Sequence, residues 1–434
     1  MRGRNFPTSK TSHHDLTTFL SLRPSTKPSF LLSYPILLSF EPLTLSMKLD
    51  FRDSLLFLEL CDPFRQGVSN VPSEESWRSI SQLSKEHGMT PFLSYRTRSL
   101  GIPAPPKLMK EWLGYYLYQI AEEKKALRQI KELKNILATE RIPFILLKGA
   151  SAMLRLYPEP GLRTFCDLDI LIPAEMVSQF KRAMTMAGYK PLFSRTSPED
   201  EELQRYDAHL DPLRKEEGFR IEPHLSILKG RGEYSIALPE IWRDREETEM
   251  DGVSIEHLNI EHFIIHSLLH CARDLHDFGF IAIKGFTDLL YAIHTRGIDW
   301  SKILDTSRRW GVEKDILPLM ATLNQYWQAE IPLAEEPVPI DINTLVCGVE
   351  QREKNYYANL PPRYIKCFLK IRELPGAASR IRYALHLFFP AQENLRGRYG
   401  LSSKWSVVPY YFFHFFFILG KFLKGLWYQS RLKT

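Results

Sequence analysis

The stretch Cys166-Asp167-Leu168-Asp169-Ile170-Leu171-Ile172 is the most informative part of this chain, because it combines a short apolar strand with two carboxylates. Side chains at i and i+2 of a strand point to the same face, so Asp167 and Asp169 are predicted to lie side by side, roughly 6.6 Å apart at Cα. Two bare carboxylates at that separation repel by about 2.5 kcal/mol at an effective dielectric of about 20. The pair therefore predicts either a solvated strand end or a divalent cation, and Mg²⁺ suits it because this ion prefers oxygen ligands.

A second apolar run lies upstream and ends in a turn suited to phosphate. The run Ile142-Pro143-Phe144-Ile145-Leu146-Leu147 leads into Lys148 and Gly149, after which a helix is predicted. Glycine lets a ligand approach the backbone, and the free N–H groups and dipole of a helix start favour an anion. Ser151 adds a hydroxyl, and Lys148 and Arg163 are candidates to offset the phosphate charge of a nucleotide.

A third carboxylate is expected, since a catalytic base or a further metal ligand would help to activate an attacking hydroxyl. Glu222 is the candidate, in a strand predicted from Phe219 to Ile227, with His224 on the same face by alternation. The competing interpretation is an edge-strand glutamate that faces water, because Pro223 favours an edge position.

Composition narrows the class of protein. The chain has 434 residues, of which 44% are hydrophobic and 25% charged, and these values exclude general disorder. A mean hydropathy of −0.24 argues against a polytopic membrane protein. Five cysteines without C-x-x-C spacing argue against a structural zinc site and favour a reducing, cytoplasmic location.

The pattern along the chain predicts an α+β fold: a small mixed β-sheet core with helices, flanked by N-terminal and C-terminal helical regions. Two helices, Leu108 to Ile120 and Lys124 to Leu137, are predicted ahead of the core. We divide the chain into an N-terminal extension that is disordered or precedes the true start (1–46), a helical region (47–138), the strand–helix core (139–255), a helical region that packs on the core (256–330) and a C-terminal helical region with an aromatic and basic tail (331–434).

Two helical segments leave alternatives open. His262, His266 and His270 fall at spacing four on one helical face, which permits a metal cluster, but packing is favoured because no H-E-x-x-H pattern is present. Asp288 is expected to cap or bridge helices, or to approach the site. The aromatic segment from Trp405 to Leu419 is too short to span a bilayer, and burial against the protein's own helices is favoured over membrane contact.

The Lys148-Gly149-Ala150-Ser151 turn, the segment from Tyr157 to Arg163 and Asp167-Leu168-Asp169 together resemble the signature of the uncharacterised bacterial nucleotidyltransferase family, within the polymerase-β-like superfamily. The resemblance covers roughly residues 55 to 420. It implies that Gly149 and Ser151 lie in the phosphate loop, that Asp167 and Asp169 bind magnesium, and that Glu222 is the third acidic residue. The chain has Gly149-Ala150 where the superfamily usually has Gly-Ser or Gly-Gly, and Pro223 where the family commonly has Leu.

Two functions follow as hypotheses. The first is an enzyme with a two-metal magnesium site that transfers a nucleoside monophosphate from an NTP to an unknown acceptor and releases pyrophosphate. In this hypothesis Asp167, Asp169 and Glu222 are catalytic and hold the metal, while Lys148, Gly149, Ser151 and Arg163 bind the nucleotide. The second is an inactive module of the same fold that binds a nucleotide or a partner, in the manner of a toxin or antitoxin. No basic stripe with interleaved aromatics surrounds the site, so a nucleic-acid acceptor is not favoured.

Overall fold

The structure is a computed structural model and describes residues 50–192, 209–228, 234–335, 337–347, 376–390, 392, 395 and 407–431. The predicted extension 1–46 lies outside these residues. The α-helices are α1 (Phe51–Cys61), α2 (Glu74–Glu86), α3 (Thr90–Ser99), α4 (Pro106–Thr139), α5 (Lys148–Arg155), α6 (Val177–Met186), α7 (Leu238–Arg243), α8 (Ile260–Phe278), α9 (Ile283–Thr295), α10 (Trp300–Trp310), α11 (Glu313–Trp327), α12 (Ile342–Leu345), α13 (Gly376–Phe388) and α14 (Val408–Arg431). The strands are β1 (Ile145–Leu146), β2 (Asp167–Leu171), β3 (Lys190–Pro191), β4 (Leu213–Arg214), β5 (Arg220–His224), β6 (Glu246–Met250) and β7 (Val253–His257).

The described strands form one mixed seven-stranded sheet, in the order β3-β4-β5-β2-β1-β7-β6. The strand β2 pairs parallel with β5 on one side and antiparallel with β1 on the other. β1 in turn pairs parallel with β7, and the outer pairs β3–β4, β4–β5 and β6–β7 are antiparallel. Helices flank this sheet, so the predicted α+β fold with a small mixed sheet is confirmed.

The two faces of β2 pack against different parts of the chain. Leu168 and Ile170 belong to a hydrophobic cluster that includes Ile130 and Leu133 of α4 and Phe180 of α6. Leu171 belongs to a second cluster, which joins β2 to Ile265 of α8 and Phe286 of α9 and also contains residues of α1, α2 and α3. Because alternate residues share a face, Asp167 and Asp169 lie on the side of Leu171.

The helix α4 corrects one prediction. The chain from Pro106 to Thr139 is a single helix, so the two separate helices expected here are wrong. The residues between them, Ala121, Glu122 and Glu123, all have good helix propensity, and nothing in the sequence breaks the backbone hydrogen bonds. The carboxylate of Glu123 accepts a hydrogen bond of 2.6 Å from the backbone N–H of Gly161, which ties the middle of α4 to the chain ahead of β2.

The C-terminal helix α14 is only partly buried, so the burial expected for the aromatic segment holds for one of its faces. His414 is buried, and its Nε2 lies 3.2 Å from the carbonyl oxygen of Leu387 in α13. Phe412 and Phe416 instead have 69% and 65% of their surface exposed. None of the helices described here combines the length and the apolar character needed to cross a bilayer.

Candidate active site

Three carboxylates come together where β2 and β5 run side by side. In the parallel ladder between these strands, Asp167 pairs with Arg220 and Asp169 pairs with Glu222. Paired residues of neighbouring strands point to the same face, so all four side chains are directed toward the same side of the sheet. Since β5 lies between β4 and β2, the interpretation of Glu222 as an edge-strand residue is wrong.

Asp169 is the buried centre of this group. Its Oδ1 accepts a hydrogen bond of 2.6 Å from Nζ of Lys148 and lies 2.8 Å from Nε2 of His224. Burial by itself would raise the pKa of the Asp169 carboxyl, but the Lys148 ammonium and the His224 hydrogen bond hold this pKa well below its usual range. Asp169 is therefore ionised at neutral pH.

His224 is a neutral imidazole in this setting. Burial, and then the nearby Lys148 ammonium, lower the pKa of His224 to about 4, against the opposing effect of Asp169. A neutral imidazole that donates its Nε2–H to Asp169 keeps Nδ1 as an acceptor. His224 thus orients the carboxylate without adding positive charge.

Arg220 bridges the other two carboxylates. Its Nη2 lies 2.6 Å from Oδ2 of Asp167 and 2.8 Å from Oε1 of Glu222. Burial, followed by the charges of Asp169 and Asp167, raises the pKa of the Glu222 carboxyl from its usual value, while Arg220 opposes the rise. Glu222 is therefore a stronger base than an exposed glutamate.

The turn after β1 brings Lys148 to the same place. The N–H of Leu147 donates to the carbonyl oxygen of Asp169 at 2.9 Å, which fixes the end of β1 beside β2. Lys148 itself has φ 49°, in the left-handed region that side-chain-bearing residues rarely adopt. Such a conformation costs on the order of 1 kcal/mol, so the contacts of Lys148 with its surroundings must hold it in place.

Gly149 lies against the guanidinium of Arg163. A Cβ added at Gly149 would lie 3.3 Å from Cζ, Nη1 and Nη2 of Arg163, so the glycine allows this close approach. The guanidinium is buried and forms a bidentate pair with Asp288 of α9, with Nε–Oδ1 and Nη2–Oδ2 distances of 2.7 Å each. The hydroxyl of Tyr157 donates to the same carboxylate at 2.6 Å. Asp288 therefore bridges α9 to the chain ahead of β2.

Ser151 has a different environment from the other predicted site residues. It is buried in α5, and its Oγ lies 2.9 Å from Nδ1 of His257 on β7. The structure thus brings Lys148, Asp167, Asp169 and Glu222 together around β2. The polar groups of Ser151 and Arg163 instead form hydrogen bonds with His257 and Asp288.

Two basic residues that the sequence analysis does not single out interact with the carboxylates, Arg220 by ion pairs and Lys284 through its charge. Arg220 stands two positions before Glu222 in the same strand, so alternation could have placed it there. Lys284, in the first turn of α9, is half-buried, and burial followed by the charge of Arg163 lowers its pKa, while Cys166 and Asp167 act in the opposite direction. Within the part of the chain that the structure describes, Lys284 has no ion-pair partner. No local pattern links this lysine to β2.

The histidines of α8 contact neighbouring side chains, in line with the packing role favoured for them in the sequence analysis. His262 stacks on Trp310 with ring centroids 5.3 Å apart, and Nδ1 of His270 lies 3.1 Å from Asp274. His266 is buried, with no hydrogen-bond partner at Nδ1 within the described residues. Burial, and then the charge of Lys148, lower the pKa of His266 well below its usual value.

The donor set suits a divalent cation. Among the described residues, the side chains close enough to hold a metal ion together are Asp169, Glu222 and His224, whose ligand atoms lie within 4.8 Å of one another. Two carboxylates are ligands that Mg²⁺ and Mn²⁺ accept, and an imidazole is compatible with Mn²⁺. Asp167 lies on the same face of β2, with its carboxylate paired to Arg220.

The candidate site lies within the segment that a family model matches. A family model described as an uncharacterised nucleotidyltransferase matches residues 73–328, more than half of the chain and all of the candidate site. None of the curated proteins matches this chain. Among solved structures, an antigenic nucleotidyltransferase-like protein from Paracoccidioides brasiliensis matches with a TM-score of 0.34 and 13% identity, over 49% of this chain and 95% of the other.

Proposed function

Because the chain belongs to the uncharacterised nucleotidyltransferase family, we propose that it transfers a nucleoside monophosphate from an NTP to an acceptor and releases pyrophosphate, with Mg²⁺ as the cofactor. One observation carries the proposal: ligand atoms of Asp169, Glu222 and His224 converge within 4.8 Å on the face of β2 that adjoins the Gly149 turn. We further propose that the protein works in the cytoplasm, where its NTP substrates are made.

The acidic residues have distinct roles in this proposal. Asp167, Asp169 and Glu222 would hold the metal, which when bound would neutralise charge on the triphosphate. Asp169 is suited to a permanent ligand, because Lys148 and His224 keep it ionised and oriented. Asp167 and Glu222 would become available once Arg220 moves away from them.

The reaction itself requires a base and a positioned phosphate. The acceptor hydroxyl oxygen attacks the α-phosphorus, the bond from this phosphorus to the oxygen bridging to the β-phosphate breaks, and pyrophosphate leaves with the electron pair. We propose that Glu222 takes the proton of the acceptor hydroxyl, which its raised pKa favours.

Basic groups around the turn would bind the triphosphate. Lys148 contacts Asp169 in the carboxylate cluster, and Lys284 interacts electrostatically with Asp167. Arg163 and Ser151 would act by holding the turn rather than by direct contact, since their polar groups are buried against Asp288 and His257. Positioning and charge neutralisation account for most of the catalysis of phosphoryl transfer. Residues that hold the turn in place would therefore contribute to the rate even without touching the substrate.

The test is transfer of label from NTPs with a labelled α-phosphate, using the full chain, Mg²⁺ and a cell extract as the source of acceptors. We expect a labelled product with the wild type and a loss of about 10²-fold or more with Asp169→Asn. Asp305→Asn is the matched control, because Asp305 is an exposed aspartate paired with Arg308 on α10, away from β2. Unchanged labelling by Asp169→Asn would contradict the proposal.

A second candidate, a nucleotide-binding module without turnover, has one observation in its favour. Each of the three carboxylates already has a basic or imidazole partner among Lys148, Arg220 and His224. Calorimetry separates the two functions. Magnesium-dependent NTP binding with no labelled product in any extract would favour the module.

A further inference from the structure

The net charge of the chain is concentrated at its C-terminal end. Residues 376–434 contain nine Lys or Arg residues and one acidic residue, Glu393, which gives this segment a formal charge of +8. The whole chain carries +6, so residues 1–375 together carry −2. Such an asymmetry within one chain is typical of a segment that meets an anionic surface.

Two described helices of this segment form a helical hairpin. Here α13 packs on α14 through Phe415, whose ring centroid lies 5.2 Å from that of Phe388. The hydroxyl of Tyr411 donates to the carbonyl oxygen of Pro390 at 2.9 Å, and Nε2 of His414 lies 3.2 Å from the carbonyl oxygen of Leu387. These contacts fix which face of α14 is turned toward α13.

The remaining face of α14 carries an exposed apolar stripe. Val408, Phe412, Phe416 and Leu423 recur at helical spacing, and all four are exposed. In α13, Ile381 and Leu385 are likewise exposed, by 61% and 57%, and stand one turn apart. Neither helix contains an aspartate or a glutamate, while α14 contains Lys421, Lys424 and Arg431.

We propose that this hairpin docks the protein on an anionic lipid surface, with α14 lying in the interface. An interfacial helix carries large apolar side chains on one face together with basic residues, and α14 has both and contains no acidic residue. The basic residues supply the charge complementarity, since each lysine or arginine near an anionic leaflet adds to the attraction. A nucleic acid would use the positive charge and the aromatic rings, but it offers no apolar medium for Ile381, Leu385, Val408 and Leu423.

The experiment is co-sedimentation of the full chain with vesicles of phosphatidylcholine alone or with about 30% phosphatidylserine. We expect about tenfold stronger partition onto the vesicles that contain phosphatidylserine, and loss of this preference at high salt. The paired variant Phe412→Ser/Phe416→Ser should lower partition about tenfold, and Lys421→Glu/Lys424→Glu should abolish the preference for phosphatidylserine.

The control replaces exposed apolar residues outside the hairpin. Leu117→Ser/Met186→Ser removes two exposed apolar side chains, from α4 and α6, and should sediment like the wild type. Equal partition of the wild type onto both kinds of vesicle overturns the proposal. The proposal is also overturned if the Phe412→Ser/Phe416→Ser variant binds vesicles as the wild type does. Two other results would assign the stripe to another partner and overturn it as well: a change from dimer to monomer in light scattering, or loss of RNA binding in place of lipid binding. Labelling activity is measured in parallel without vesicles, so failure of docking is separate from failure of the proposed function.

Discussion

Asp169 and Glu222 stand opposite each other in the parallel ladder between β2 and β5, two residues after the pair formed by Asp167 and Arg220. This register places an arginine and three carboxylates in two adjacent rows on one face of the sheet. The three carboxylates differ in charge partner, since Lys148 and His224 contact Asp169 while Arg220 pairs with both Asp167 and Glu222. A cation that enters the site therefore competes with Arg220 for two of its ligands.

Replacement of Arg220 tests this competition. In Arg220→Gln the carboxylates of Asp167 and Glu222 lose a charged partner at 2.6 and 2.8 Å. We expect Mn²⁺ to bind about tenfold more tightly, equivalent to roughly 1.4 kcal/mol, because the metal no longer displaces an ion pair. Titration calorimetry of the variant with Mn²⁺ measures this directly.

Arg214→Gln is the matched control for that titration, because Arg214 is an exposed arginine on the neighbouring strand β4. It should bind Mn²⁺ as the wild type does. Weaker Mn²⁺ binding by Arg220→Gln would show that Arg220 helps to build the metal site instead of competing with the ion.

Lys284 offers a test of triphosphate binding that leaves the metal ligands intact. Its side chain is half-buried, its charge interacts with that of Asp167, and it has no ion-pair partner in the described ranges, so we expect an incoming phosphate to pair with it. We expect Lys284→Gln to weaken binding of an NTP about tenfold without a change in Mn²⁺ affinity. Lys314→Gln, an exposed lysine on α11, should change neither. Full NTP affinity in Lys284→Gln would remove this lysine from the binding site.

The sequence predicts the local parts of this site and not their assembly. The alternation in β2 fixes the shared face of Asp167 and Asp169, because a strand has a strict period of two. The partnership of Asp169 with Glu222 depends on a parallel register between strands more than fifty residues apart, which no local pattern specifies. Lys284 and Asp288 reach the site through the packing of α9, more than one hundred residues after β2.

The buried His257 predicts how stability depends on pH. Burial, and then the charge of Arg155, lower the pKa of His257 from 6.5 to about 3. Its folded pKa lies below its unfolded one, so the unfolded state takes up the proton first as the pH falls. The contribution of His257 to the free energy of unfolding should therefore fall as the pH drops below 6.5, by about 2 kcal/mol at pH 5, and this loss should continue toward pH 3.

Urea unfolding at pH 7 and pH 5 measures this loss, with His257→Gln as the variant that cannot titrate. The variant should be less stable at pH 7, because Ser151 loses its imidazole partner, yet its stability should change less between the two pH values. His294→Gln, at an exposed position near the end of α9, serves as the control and should keep the wild-type dependence on pH. An identical pH dependence in His257→Gln would mean that other groups carry the effect.

Gly149 and Asp288 should be energetically coupled through Arg163. In Gly149→Ala the new Cβ would meet the Arg163 guanidinium at 3.3 Å, and the guanidinium has little freedom to retreat because Asp288 holds it at both ends. We expect Gly149→Ala to lower the free energy of unfolding by about 1–2 kcal/mol. Asp288→Asn weakens the restraint, so the alanine should cost less in that background, and the difference is the coupling energy of a double-mutant cycle. Gly114→Ala on α4, where nothing lies within 4 Å of an added Cβ, controls for helix propensity and should not destabilise the protein. Additive effects of Gly149→Ala and Asp288→Asn would show that Arg163 does not transmit the position of α9 to the turn.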